Sequence, residues 1–230
     1  MPLTSNAPIG TDIMRAIGRL CDRDVVLVPT ETEYVLACNA LDPEAVSKLL
    51  SMAGDTPNAP VEILVPSFDR VTLYAKDVPP VFQGLAQSFA PGRLTFLLNK
   101  KYVISDRLTA GSQKAAITLA YHPLTAAMLE KLHFPLAVVR VSAFHSPEEG
   151  SVDILDLLGD RIGYVLDGGA TVVGPGSTWL EMGEDSILIH RTGTVTREDV
   201  ERVGGMSTLQ HLSPMAPERV ASKAEVTKPV

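Results

Sequence analysis

The strongest constraint on the fold is an alternation: short apolar runs closed by turn signals, separated by stretches of helical periodicity. Residues 24–28 (DVVLV) form a β-branched run that stops at Pro29, and residues 136–141 (LAVVRV) form another largely apolar one. Runs of this kind read as buried strands. Ahead of the first, Ile13, Met14, Ile17 and Leu20 recur at three- and four-residue spacing, with Thr11 or Asp12 as N-cap. That spacing predicts an amphipathic helix over 11–20. Asp42-Pro43-Glu44 opens a second helix through Ala45, Val46, Leu49 and Leu50, which ends at Gly54-Asp55-Thr56-Pro57.

The same criteria predict strands over 61–65, 94–98, 115–119 and 162–166, and helices over 79–89, 122–132 and 153–158. Residues 178–181 and 186–189 read as strands paired across 182–185, Gly168-Gly169 as a turn, and Thr196 as the cap of a last helix ending near Gly204-Gly205. No strict period governs the alternation. The expected fold is therefore α/β, a mixed sheet flanked by helices rather than a doubly wound parallel one. From Ser207 the apolar periodicity fades into Pro, Ser, Lys and Glu. One domain over 1–206 and a flexible tail over 207–230 are expected.

Composition narrows the function classes. A chain of 230 residues can close one sizeable core. Its net charge of −7 counts against a dedicated RNA binder, whose affinity rests on a basic surface. No apolar run reaches the roughly 18 residues of a membrane span, and MPLTSNAPIG lacks the basic and apolar parts of an export signal. A cytoplasmic protein without membrane attachment is expected; the oligomeric state stays open. Cys21 and Cys38 are too few for a disulfide framework, and Cys38 sits in an apolar run as a packing residue. His122, His133, His145, His190 and His211 show no metal-ligand spacing, so no protein-bound metal and no tightly bound cofactor are expected.

Four strings stand out. Val28-Pro29-Thr30-Glu31-Thr32-Glu33-Tyr34 ends a strand with hydroxyls that can meet a small polar ligand, though it equally suits a capped turn before a helix. Phe89-Ala90-Pro91-Gly92-Arg93-Leu94-Thr95 reads by itself as a turn entering a strand. Gly174-Pro175-Gly176-Ser177-Thr178 is a small-residue loop suited to cradling phosphate or carboxylate oxygens, without the GK[ST] ending of a P-loop. In Ile189-His190-Arg191-Thr192-Gly193 an arginine follows a strand, either as an anion clamp or as a solvated charge.

In this order the four strings resemble the YrdC-domain family of L-threonylcarbamoyladenylate synthases. PTETEYVLACNA matches the family's PTETxYGL opening, Pro91-Gly92-Arg93-Leu94-Thr95 its PGxLT turn, Gly176-Ser177-Thr178 its xST loop, and Arg191-Thr192-Gly193-Thr194-Val195 its closing RxGx[VT]. The resemblance covers about residues 9 to 204. It implies one α/β domain, a twisted mixed sheet with flanking helices around a concave cleft. It also implies a cleft for L-threonine, bicarbonate and ATP with Mg²⁺ as substrates, making threonylcarbamoyl-AMP for tRNA A37 modification. Carried over by position, Thr32, Tyr34, Thr95, Ser142, Ser177 and Thr178 would contact threonine, and Arg191 and Arg140 the nucleotide. No catalytic residue is assigned.

The family's cationic cluster is not matched. Where the family has K-x-R-P-x-x-N-P and then His, this chain has Ala53, Asp55, Ala59 and Leu64; its V-R-V-P is Ile117-Thr118-Leu119-Ala120. Ser142-Ala143-Phe144 lacks the Asn of the S-A-N segment, and Val35 replaces the Gly after Tyr34. Three readings follow. The chain binds a small polar or nucleotide-like ligand with little or no synthesis, or it is a working synthase in which Arg140, Arg93 or Lys114 substitutes for the missing cations. The third is a non-catalytic RNA- or protein-binding module.

Overall fold

A computed structural model describes residues 7–53, 60–140, 159–171, 174–183, 186–204 and 209–211. In chain order the elements are β1 (Ile9–Gly10), α1 (Ile13–Cys21), β2 (Val25–Pro29), β3 (Tyr34–Asn39), α2 (Pro43–Met52), β4 (Glu62–Val65) and α3 (Phe68–Tyr74). They continue with α4 (Val81–Phe89), β5 (Leu94–Asn99), β6 (Lys114–Leu119), α5 (Pro123–Lys131), β7 (Leu136–Arg140) and β8 (Ile162–Leu166). The last are β9 (Thr178–Met182), β10 (Ile187–Arg191), α6 (Arg197–Gly204) and β11 (Leu209–His211).

The helix starts follow local chemistry. Asp12 accepts from the amides of Met14 and Arg15 at 2.9 and 3.2 Å, and Asp42 from those of Glu44 and Ala45 at 2.9 and 3.0 Å. Each carboxylate satisfies donors that the first turn leaves free. Thr196 caps α6 reciprocally: its Oγ1 accepts from the Asp199 amide at 3.2 Å and donates to the Asp199 carboxylate at 3.0 Å.

The strands form one mixed sheet in the order β1-β8-β2-β3-β7-β4-β6-β5-β9-β10-β11. Among the described residues β4/β6 and β5/β9 are parallel, while β2/β3, β3/β7, β4/β7 and β5/β6 are antiparallel. Because strand side chains alternate, each central strand serves two faces. Ile63, Val65, Phe96 and Ile117 join the larger core under α2, α3, α4 and α6. On the opposite face Ala16 and Leu20 of α1 and Met128 and Leu129 of α5 pack over Val26, Val35, Leu64 and Val138. Beside that smaller cluster the same face turns polar, with Glu62, Thr95 and Thr118 taking the alternate positions of β4, β5 and β6.

Four elements were not expected. Residues 30–33 make a hairpin loop, so 34–39 returns as β3 against β2 in the register Pro29↔Tyr34 instead of leading directly into a helix. Strand β1 and helix α3 are too short for a periodic pattern to register. Strand β11 lies inside the stretch read as a tail and runs parallel to β10. The helix expected over 153–158, together with Asp55, Ala59 and Ser142, lies outside the described residues.

Candidate functional site

The cleft lies on the polar part of the second face. It is a small, partly open cleft lined by Thr30 to Thr32, Glu62, Thr118, His122, Arg140 and Ser177 among others. Its entrance turn is organised by Thr30, whose amide and hydroxyl both donate to the Glu33 carbonyl, at 2.8 and 2.6 Å. Thr32 lines the cavity as well.

Four side chains from four segments meet on the cleft floor. Thr118 Oγ1 donates to Glu62 Oε1 at 2.6 Å, and Thr95 Oγ1 lies 3.1 Å from the same oxygen. Thr95 Oγ1 is also 2.7 Å from Thr118 Oγ1 and 2.7 Å from Ser177 Oγ. Thr95, Thr118 and Ser177 are buried, so these hydroxyls depend on one another for partners.

The loop bearing Ser177 is strapped to the segment after β10. Gly176 O accepts from Thr194 N at 2.9 Å and Thr194 Oγ1 at 2.8 Å. Thr178 Oγ1 donates to Val195 O at 2.6 Å and accepts from Gly193 N and Val195 N at 2.8 and 3.1 Å. A hydroxyl has one proton and two lone pairs, so that of Thr178 is fully used. Gly176 sits at φ +73°, a conformation side chains rarely adopt, and a Cβ there would stand 2.5 Å from Arg140 Nη2 and 2.7 Å from Arg191 Nη2. Both guanidinium groups therefore converge on this glycine.

Each is already engaged. Arg140 Nε lies 3.2 Å from Glu33 Oε1. Arg191 donates to the Ser177 carbonyl from Nη2 at 3.0 Å and stacks over the Trp179 ring, 5.8 Å from its centroid.

The expected site residues thus divide. Thr32, Ser177 and Arg140 line the cleft; Thr95 lies beneath its floor; Arg191 braces the Ser177 loop from behind. Tyr34 and Thr178 are not among the residues that line the cleft, and their hydroxyls are hydrogen-bonded within the protein. The Tyr34 hydroxyl donates to Gly169 O at 2.9 Å and accepts from Gly168 N at 3.0 Å. Lys114 is tied to Met182 O at 2.9 Å, and neither it nor Arg93 lines the cleft.

Glu31 and Glu62 were not expected in the site. Glu31 packs against Gly92: a Cβ on Gly92, at φ +81°, would stand 2.8 Å from the Glu31 carboxylate. Burial raises its pKa above the ordinary value, with Glu62 and Glu33 adding to the rise and Arg140 opposing it. A carboxyl raised in this way favours folding below the unfolded-state value of about 4.5 and loses that contribution as pH rises through the folded value. Glu31→Gln is therefore expected to be more stable than wild type at neutral pH, with the gain gone near pH 4. Urea melts at the two pH values check this, and an equal difference at both would count against it.

His122 also lines the cleft, with Nδ1 buried and unpartnered among the described residues, and burial holds its pKa below the usual histidine value. No group of three or more His, Cys, Asp or Glu suited to a metal occurs among the described residues. No described helix is long and apolar enough to cross a membrane.

The profile of the Sua5/YciO/YrdC family, described as "Telomere recombination", matches residues 20–193. The chain belongs to this family. Two curated relatives named threonylcarbamoyl-AMP synthase, from Bacillus subtilis and Pyrococcus abyssi, are 32% and 31% identical over 206 and 192 residues. These alignments cover 88% and 83% of this chain but only 58% and 56% of the relatives, so the chain spans little more than half their length. The structure of P. abyssi Sua5 complexed with L-threonine superimposes with a TM-score of 0.76 at 30% identity, over 86% of this chain and 58% of that one. Escherichia coli YciO shares the fold, with a TM-score of 0.68 over 82% of this chain and 94% of its own, at 20% identity. The mixed sheet with flanking helices expected from the sequence is thus the family fold.

Proposed function

We propose that the cleft binds L-threonine, the ligand held by the P. abyssi relative, and that threonylcarbamoyl-AMP synthesis is weak or lost in this chain. The observation that carries this reading is the charge of the cleft. Among the described residues its lining holds Glu31 and Glu62 against a single lysine or arginine, Arg140, which is paired with Glu33. Segments 54–59 and 141–158, which bear the unmatched family positions Asp55, Ala59 and Ser142, contain no lysine or arginine.

A triphosphate needs cations where its charge develops. Two unit charges about 4 Å apart interact by roughly 4 kcal/mol at an effective dielectric of 20, so each carboxylate in place of a cation reverses a sizeable term. The described lining residues do not fit ATP with Mg²⁺. They do suit a small zwitterion, since the lining offers one guanidinium and two carboxylates. The convergence of Arg140 and Arg191 on Gly176 favours one second reading, a synthase that has recruited these two arginines.

Calorimetry with L-threonine and with ATP·Mg²⁺, followed by an assay of pyrophosphate release in the presence of bicarbonate, separates the two. The expected result is threonine binding, weak nucleotide binding and turnover far below the common enzymatic range of roughly 1–10³ s⁻¹. Turnover inside that range would establish the second reading.

A further inference from the structure

The hydrogen-bond directions on the cleft floor can be resolved by counting protons. Each hydroxyl carries one. Thr118 spends its proton on Glu62 Oε1, at 2.6 Å. The 2.7 Å contact between Thr95 and Thr118 then needs the proton of Thr95, which is directed at Thr118 and, at 3.1 Å, at the same Glu62 oxygen. The 2.7 Å contact between Ser177 and Thr95 must consequently be made with the proton of Ser177. All three hydroxyls point one way, from Ser177 through Thr95 and Thr118 to the carboxylate.

This polarity decides what the cleft can read. With its proton turned inward, Ser177 Oγ offers the cavity only lone pairs. Glu62 Oε2, which takes part in neither threonine bond, offers lone pairs and negative charge. We propose that Glu62 sets the specificity of the cleft by holding the Ser177–Thr95–Thr118 relay in its donor-inward orientation. This corner then accepts the ammonium group of an α-amino acid and turns away carboxylate and phosphate oxygens. The proposal rests on the amino-acid reading above and deepens it. An apolar residue at position 62 would leave Thr118 without its acceptor and free the chain to reverse, and Ser177 would then donate to an anion. One side chain thereby inverts the preference of a hydroxyl three bonds away. Arg140, the single lysine or arginine among the described lining residues, would meet the carboxylate of the same ligand while keeping its pairing with Glu33.

The test compares L-threonine with 3-hydroxybutanoate, which keeps the carboxylate and hydroxyl and replaces the amine by hydrogen, on the wild type and on Glu62→Gln. The wild type is expected to bind threonine at least tenfold more tightly. In Glu62→Gln the amide presents N–H to the ligand, and the preference is expected to shrink by roughly ten- to a hundredfold, the range for a hydrogen bond to a charged group. The ratio of the two affinities is the readout because a merely destabilised fold weakens both ligands together. If Glu62→Gln does not fold, Ser177→Ala replaces it, with a smaller loss of preference expected. A wild type that binds threonine and the desamino acid equally overturns the proposal and leaves the threonine reading standing. A preference unchanged in Glu62→Gln overturns the role of Glu62. Binding of neither ligand defeats both readings.

Discussion

Gly193→Ala is expected to abolish L-threonine binding and to cost about 1–3 kcal/mol of stability, the range for forcing atoms into a packed site. A Cβ at this position would stand 2.5 Å from the Ser177 carbonyl oxygen and 2.6 Å from its carbon, and would also press on the Gly176 carbonyl. These are backbone atoms and cannot rotate away. The loop cannot slide as a unit either, because Gly176 O is held by the amide and hydroxyl of Thr194 and Thr178 is bonded across to Val195. Relief requires the loop to leave the 191–195 segment, which takes Ser177 away from Thr95 and opens the floor of the cleft. Calorimetry with threonine and a urea titration report the two effects separately. A variant that binds threonine as the wild type does would show that the Ser177 loop plays no part in recognition.

Phe96→Ala is expected to cost about 3–5 kcal/mol, enough to unfold a marginally stable domain. Phe96 is fully buried at the centre of β5, and its ring meets that of Phe82 edge-on at 4.5 Å and 71°. Phe82 in turn lies 4.9 Å from Phe68, so the three rings join the sheet to α3 and α4. Truncation removes the middle ring's contact with the sheet and leaves a cavity that backbone on one side cannot fill. Thr95 precedes Phe96 on the strand, so the damage extends to the relay on the opposite face. Chemical denaturation measures the loss, and a destabilisation below about 1 kcal/mol would mean that the helices repack freely over β5.

Much of the architecture was legible because it is local. The spacing of Ile13, Ile17 and Leu20 and the cap at Asp12 describe α1 without reference to any other segment. Pro43 at the first turn marks α2, and the apolar runs at 178–181 and 186–189 do pair as antiparallel strands, β9 and β10. Strand β3 was missed because PTETEY carries a turn that suits a helix entrance as well as a hairpin. Only the pairing with β2 and β7 distinguishes them. Thr32, Ser177 and Arg140, carried over by resemblance, are brought by the fold to the lining of one cleft. For Thr178 and Tyr34 the string shows that a hydroxyl is present, not how many of its hydrogen bonds are already made within the protein. Glu62 gave one usable signal, a charge on the first residue of an otherwise apolar strand.

What the sequence by itself determined is which residues share a face in the elements with a clear period, where capped helices such as α1 and α2 begin, and that cations are scarce near the family's binding positions. Tertiary structure alone decided that Glu62 meets Thr118 and Thr95, residues 56 and 33 positions away. The physical reason is the order β4-β6-β5 in the sheet, which long-range strand pairing chooses and no local pattern of side chains encodes.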